Sequence, residues 1–376
     1  MKKVGKQTLL LTTSETNSRN GESSFARLSD GRIMHAYTEY LGASRDDHAA
    51  ARISACYSSD EGETWTKPEV LIEKPENSLN IMCANLINLA NGELGLLYLD
   101  IVALPSGYQT LTPKYCYSCD DGKTWSEAVS CVDEVGYFLV NNHRVIQQKS
   151  GRLLVPIAYH GNEQSKSTKA SFRLTCSDDN GRTWKLMDIE IKSPYNDRIG
   201  FQEPGIFELD DGRLWAYFRT EYGHQWQSFS SDDGKTWTEP RPNFLFTSPN
   251  SPMLIAKVKD YVISIFNPLG FSCVNDRVWH SETACGRPMR TPFICAISCD
   301  GGKSFDTTDK TFRPSFASEC VYIEDDLNEG YCYPAVIETK DGFLVSYYFS
   351  NGCKDNCLNC CKVTKVTWDE LQDILK

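Results

Sequence analysis

The chain lacks a long apolar run. Near its N-terminus only Leu9, Leu10 and Leu11 stand together, too short a core for a signal peptide. Elsewhere no segment approaches the roughly 20 apolar residues that a membrane-spanning helix needs. A basic surplus is missing too: 39 Lys and Arg face 50 Asp and Glu, a net charge of −11. That balance argues against a nucleic-acid binder, which needs a basic face. Histidine is scarce, and the six present show no H-x-x-x-H or similar ligand spacing. No membrane, nucleic-acid or histidine-metal partner is therefore expected. Cysteine, by contrast, is plentiful at sixteen in 376 residues. The chain is too long for a small disulfide scaffold, and residues such as Cys176 and Cys295 lie inside strand-like runs. They read as small buried hydrophobes in a reducing cytoplasm.

What the sequence has is repetition. Five segments share the pattern S-x-D-x-G-x-T-W: Ser58–Trp65, Ser118–Trp125, Ser177–Trp184, Ser230–Trp237 and a weaker Ser298–Phe305. Their first serines are 60, 59, 53 and 68 residues apart. Aspartate bonds nearby amides and glycine tolerates positive φ, so each segment is a tight turn. Its terminal aromatic packs back on its own unit. These aspartates are read as structural.

A second series interleaves with the first. Apolar runs turn at Asp30-Gly31, Asn91-Gly92, Ser150-Gly151, Asp211-Gly212 and Asp341-Gly342, with a degenerate member at Asp260-Tyr261. Such dipeptides between apolar runs are hairpin signals. The two series together predict six antiparallel units of four strands, a six-bladed β-propeller over residues 1–376 as one domain. The sixth unit has no S-x-D turn, and residues 6–13 are expected to supply its outer strand and close the ring. A capping box of Thr367 and Glu370 predicts a short C-terminal helix.

In such a meander both turn series lie on one face, so the starts of the innermost strands line the other. Counting nine residues back from each hairpin turn gives Glu22, Cys83, Asn142, Glu203, Pro252 and Tyr333. Two carboxyls and a tyrosine are not what a plain core selects. Arg219, at the end of a second strand, and Arg290, Asp46 and Asp47, before third strands, point to the same rim. So does Arg19, before the first strand. Each alone is most often a solvated side chain; their common rim is the signal.

At this point the chain resembles the sialidase (neuraminidase) superfamily along nearly its whole length. The repeated turns look like that family's Asp-boxes. "FQEPGIFELDDGRLWAYFRT" is similar to its glutamate–arginine segment, "YPAVIETKDG" to its nucleophile strand and "RTPFICAISCDGG" to another arginine strand. "DDHAAARISACYSSDEG" is similar to the segment that carries its acid/base aspartate. The resemblance implies Tyr333 as nucleophile, Glu203 as its base and Asp47, with Asp46 second, as acid/base. It implies Arg19, Arg219 and Arg290 as a clamp for a substrate carboxylate. Forked guanidiniums match a carboxylate, a neutral tyrosine avoids repelling it, and a phenol needs a base to attack. No cofactor is implied. The family begins its first blade with R-I-P, whereas "SRNGESSFARLSDG" puts Gly21 at the arginine's place, Arg19 two residues earlier and Glu22 on the inner ring. This departure keeps two other readings open: an enzyme for a different acidic sugar, and a binding propeller without catalysis.

Two smaller expectations complete the reading. Asn142 is a candidate substrate contact. "CKDNCLNCC" gathers Cys353, Cys357, Cys360 and Cys361 in one loop, with Cys-x-x-Cys spacing at 357–360 that suits a structural metal, although free thiols are the favoured reading.

Overall fold

In the computed structural model, residues 1–268, 290–305, 320–326, 329–350 and 358–375 are described. They form six antiparallel sheets arranged as blades. Blade one runs Asn17–Arg27, Ile33–Leu41, Ala51–Ser58 and Glu69–Ile72 from the axis outward. Blades two, four and five repeat this order, starting from Asn80–Asn88, Gln202–Glu208 and Leu254–Val258. Blade six starts from Tyr331–Thr339, and Lys6–Leu11 pairs with Cys360–Thr367 as its outermost strand. The chain's first strand thus closes the ring, as the missing sixth turn predicted.

Blade three departs from the regular plan. Its innermost strand is broken into Phe138–Leu139 and Ile146–Gln147, both paired with Leu153–Tyr159. The intervening Asn141 side chain accepts a bond from the Asn142 amide at 2.8 Å. Such local side-chain bonding competes with a strand ladder.

The inner strands are buried on both faces because neighbouring blades sandwich them. Within Asn17–Arg27, only Arg27 is other than fully buried. Continuous burial of this kind hides the two-residue alternation expected of a one-sided sheet. The first four Asp-box turns repeat atom for atom, and the fifth carries Ser304 in place of the threonine. In blade one, Ser58 Oγ donates to Asp60 and accepts from the Gly62 amide at 2.8 Å, while Asp60 accepts from the Thr64 amide at 2.9 Å and its hydroxyl at 2.6 Å. Hairpin turns meet these boxes on one face: the Ser29 amide donates to Asp121 at 2.8 Å. The helix, Trp368–Leu371, carries its capping box, with Glu370 also accepting from the Gly5 amide at 2.9 Å. No helix among the described residues is long and apolar enough to cross a membrane.

The box threonines set an acid limit on stability. Their hydroxyl and amide bonds hold Asp60, Asp120 and Asp232 down to about 2, and Asp179 and Asp300 are also lowered. In the unfolded chain an aspartate titrates at about 3.9. The stability these groups contribute is present above that value and is lost as pH falls toward 2. Melting temperature should therefore drop steeply between about pH 4 and 2, and Asp60→Asn should shallow that slope. A melting temperature flat across this range would remove the boxes from the acid response.

Candidate active site

A recurring backbone defect builds the site. On four innermost strands two residues stand opposite one: Glu22 and Ser23, Cys83 and Ala84, Glu203 and Pro204, Tyr333 and Pro334. In each bulge the first residue is left-handed, with φ of +49°, +60°, +42° and +59°. Non-glycine residues rarely occupy that region, and it costs of order 1 kcal/mol or more apiece. The bulge re-aims a side chain that would otherwise pack between blades. It turns these four toward a cavity of about 600 Å³ at the axis.

Tyr333 and Glu203 meet there. The Tyr333 hydroxyl donates to Glu203 Oε1 at 2.7 Å, and Arg219 Nη1 donates to Oε2 at 2.6 Å. Burial would push the Glu203 carboxyl up, but Arg219, Tyr333 and Arg290 outweigh it and hold the group below its usual range. Burial and then the facing carboxylate push the Tyr333 phenol well above its ordinary value, against Arg219 and Arg290. The pair is thus a neutral phenol bonded to an ionised carboxylate, which can accept the phenol's proton as it reacts. Arg290 lies with its guanidinium carbon 5.6 Å from the Tyr333 ring centroid and donates to Cys332 Sγ at 3.0 Å. Asn250 joins the two arginines, accepting from Arg219 Nε at 2.6 Å through its side chain and from Arg290 Nη2 at 3.1 Å through its carbonyl.

Across the cavity, Arg19 is buried between the Tyr40 and Tyr348 rings, 4.6 and 5.0 Å from their centroids. Its Nε donates to the Tyr348 hydroxyl at 2.8 Å, one Nη to Glu22 at 3.1 Å and the other to Asp47. Gly21 bears no side chain for a physical reason: a Cβ there would meet the Tyr348 ring at 2.0 Å. Tyr348 fills the room of an arginine at 21, and Arg19 reaches the cavity instead. Asp47 keeps 60% of its side chain exposed, and Asn80 fixes its loop by donating to the Asp47 carbonyl at 3.1 Å. The far wall comes from Met82, Tyr137, Leu139, His48 and His160.

Arg19, Asp47, Glu203 and Tyr333 therefore line one cavity. Arg219 and Arg290 stand behind the phenol–carboxylate pair. Asp46 binds the His48 amide at 2.8 Å and does not line the cavity. Asn142 needs correction. It is fully buried, and its amide donates to the Ser23, Tyr333 and Pro334 carbonyls at 2.8, 3.3 and 3.4 Å. The break in blade three turns it into a tie between blades, and Asn141 lines the cavity in its stead. A second correction concerns Cys360 and Cys361, which are buried strand residues and not part of a loop; Cys353 and Cys357 lie outside the described residues. Among the described residues no metal-holding cluster of three His, Cys, Asp or Glu occurs.

Tyr348 and Asn250 escaped the sequence reading. Tyr348 pairs with Cys332 as Arg219 pairs with Gln202, so carrying the register of Arg219 from blade four to blade six would have found it. No comparable signal marks Asn250.

The sequence profile of a family described as a BNR repeat-like domain matches residues 31–345. A sialidase of Bacteroides fragilis (strain YCH46) is 22% identical over 238 residues, 56% of this chain and 41% of that protein. An anhydrosialidase of Macrobdella decora is 32% identical over 148 residues, 37% of this chain and 18% of that protein. The chain spans less than half the length of these relatives. A Trypanosoma rangeli sialidase in complex with sialic acid shares the fold, with a TM-score of 0.68 over 98% of this chain and 60% of that one at 16% identity.

Glu203 is buried and Arg219 nearly so, and removing the arginine strands the carboxylate. Arg219→Met should lower stability by about 3 kcal/mol at pH 7, read from the denaturant midpoint. Without its cation the Glu203 carboxyl titrates higher, so the loss should shrink as pH is lowered to 5. A loss equal at both pH values would show that Glu203 does not bear the penalty.

Proposed function

The chain belongs to the BNR repeat-like domain family, within the sialidase superfamily, and on that premise we propose that it is a retaining exo-glycosidase that releases terminal sialic acid through a tyrosine nucleophile. The observation that carries this reading is the 2.7 Å bond from the Tyr333 hydroxyl to Glu203, on the wall of the cavity that also holds Arg19 and Asp47. A binding propeller needs no phenol paired to an ionised base.

The substrate carboxylate is drawn by the three guanidiniums, with Arg19 at the cavity wall and Arg219 and Arg290 behind the reacting pair. Tyr333 oxygen attacks the anomeric carbon as its proton passes to Glu203. Arg219 and Arg290 favour this step, since both lower the phenol's proton affinity. Asp47, protonated from solvent through its exposed side chain, gives that proton to the departing glycosidic oxygen. It then takes a proton from the water that breaks the tyrosyl–sugar bond, returning the phenol. Two displacements at one carbon give net retention. Its exposure leaves Asp47 open to that water. No cofactor enters the scheme, and a cytoplasmic setting for it would keep buried thiols such as Cys56, Cys116 and Cys295 reduced.

One observation favours a second reading. Gly21, the relocated Arg19 and the added Glu22 change the carboxylate end of the cavity, which would suit a different acidic sugar cleaved by the same pair. A panel of 4-methylumbelliferyl glycosides separates the cases. Turnover of the sialoside is expected, and Tyr333→Phe should reduce it by roughly 10³-fold or more with an unchanged melting temperature. Turnover of another acidic glycoside alone would select the second reading. No turnover of any member, or full activity in Tyr333→Phe, would overturn the mechanism.

A further inference from the structure

Three guanidiniums and three carboxyls meet around this cavity: Arg19, Arg219 and Arg290 against Glu22, Asp47 and Glu203. Five of them have a part in the scheme above, and Glu22 has none. Its side chain is 7% exposed and lines the cavity from a left-handed bulge. One oxygen meets Arg19 at 3.1 Å and the other the Thr38 hydroxyl at 3.5 Å, and the Cys83 thiol also bonds the carboxyl.

With all three carboxyls ionised the charges balance before any ligand enters. An anionic sugar adds a negative charge to a buried site, which is costly unless something compensates it. We infer that Glu22 takes up one proton when a carboxylate ligand binds, releasing an Arg19 N–H to the ligand and coupling recognition to pH. This inference rests on the acidic-sugar reading above.

The surroundings of Glu22 single it out. From its own strand it faces Arg19; from the second strand of blade one, Thr38 and Tyr40; and from the loop before the third strand, Asp47. Blade two contributes Cys83, blade four Glu203 and blade six Tyr348. Tyr40, Tyr348 and Cys83 are pushed well above their ordinary values and are neutral near pH 7. Glu203 is held ionised by Arg219 and Tyr333, and Asp47 is largely solvated. Arg45 and Lys166 at the mouth are exposed and screened by water. Burial, opposed by Arg19, pushes the Glu22 carboxyl up to about 7. A second negative charge beside it moves that value higher still, so the proton enters on binding. Affinity is then full below about pH 7 and falls as pH rises, by up to tenfold per unit.

The test is titration calorimetry of the whole chain with 2,3-dehydrated sialic acid and with its neutral methyl ester. Each titration is run in two buffers of different ionisation enthalpy, from pH 6 to 8.5. The acid should bind with uptake approaching one proton at pH 8, about tenfold weaker at 8.5 than at 7.5. The ester should bind without uptake. Glu22→Gln should bind the acid with no uptake and an affinity flat above pH 7. Acid binding to the wild type without proton uptake would overturn the inference and leave the sialic-acid reading standing, whether or not the variant folds. Equal uptake in Glu22→Gln would overturn it as well, by sending the proton elsewhere. Binding of neither acid nor ester would overturn the reading and the inference with it.

Discussion

A left-handed bulge near the start of the innermost strand is the constraint from which the site follows. A propeller blade is sandwiched between two others, so its inner strand has no free face on which to display a reactive group. One extra residue, at φ between +42° and +60° on four strands, breaks that symmetry and sends a side chain to the axis. The strain is tolerable because the ladder resumes on both sides and neighbouring blades hold it. Asn142 is part of that support, bonding the carbonyls of Ser23, Tyr333 and Pro334 at once. A polar residue at 0% exposure thus fixes the backbone that aims the phenol.

Electrostatics then divide the cavity. On one wall, a single carboxylate serves both Tyr333 and Arg219, and it stays ionised because two donors outweigh burial. On the other, Arg19 is shared between two carboxyls and stacked between two aromatic rings. The first wall supplies an acceptor for the phenol proton as the oxygen reacts. The second holds a cation whose partners differ in solvation: Asp47 at the mouth and Glu22 in the interior. An anion entering between the walls meets a cation in both directions, which is the arrangement a sugar carboxylate beside its anomeric carbon calls for.

Much of this was legible in the chain. Asp-Gly and S-x-D turns have their own chemistry, so their spacing gave the blade count, and the missing sixth box pointed to closure by residues near Lys6–Leu11. Counting back from the turns reached Glu22, Cys83, Glu203 and Tyr333, because the bulge sits at one register in those four blades. The same count failed in blade three, where the Asn141 side chain captures a backbone amide and the strand breaks. It could not foresee that Tyr348 occupies the space beside Gly21, since that contact joins blades one and six across 327 positions of sequence. Asn250 was hidden likewise: its place between Arg219 and Arg290 depends on how two blades meet and on no local pattern. Cys360 was assigned to a loop because the cysteine cluster masked the strand that Cys360–Thr367 forms.

The central claim is that the Tyr333 phenol forms the covalent bond to the sugar. Incubation with 2,3-difluorosialic acid, whose second fluorine slows breakdown of a glycosyl-enzyme, followed by peptide mass spectrometry, tests it directly. The expected result is one sugar added to the peptide containing Tyr333, and none in Tyr333→Phe. A stable adduct on Asp47, Glu22 or Glu203, with Tyr333 unmodified, would contradict it.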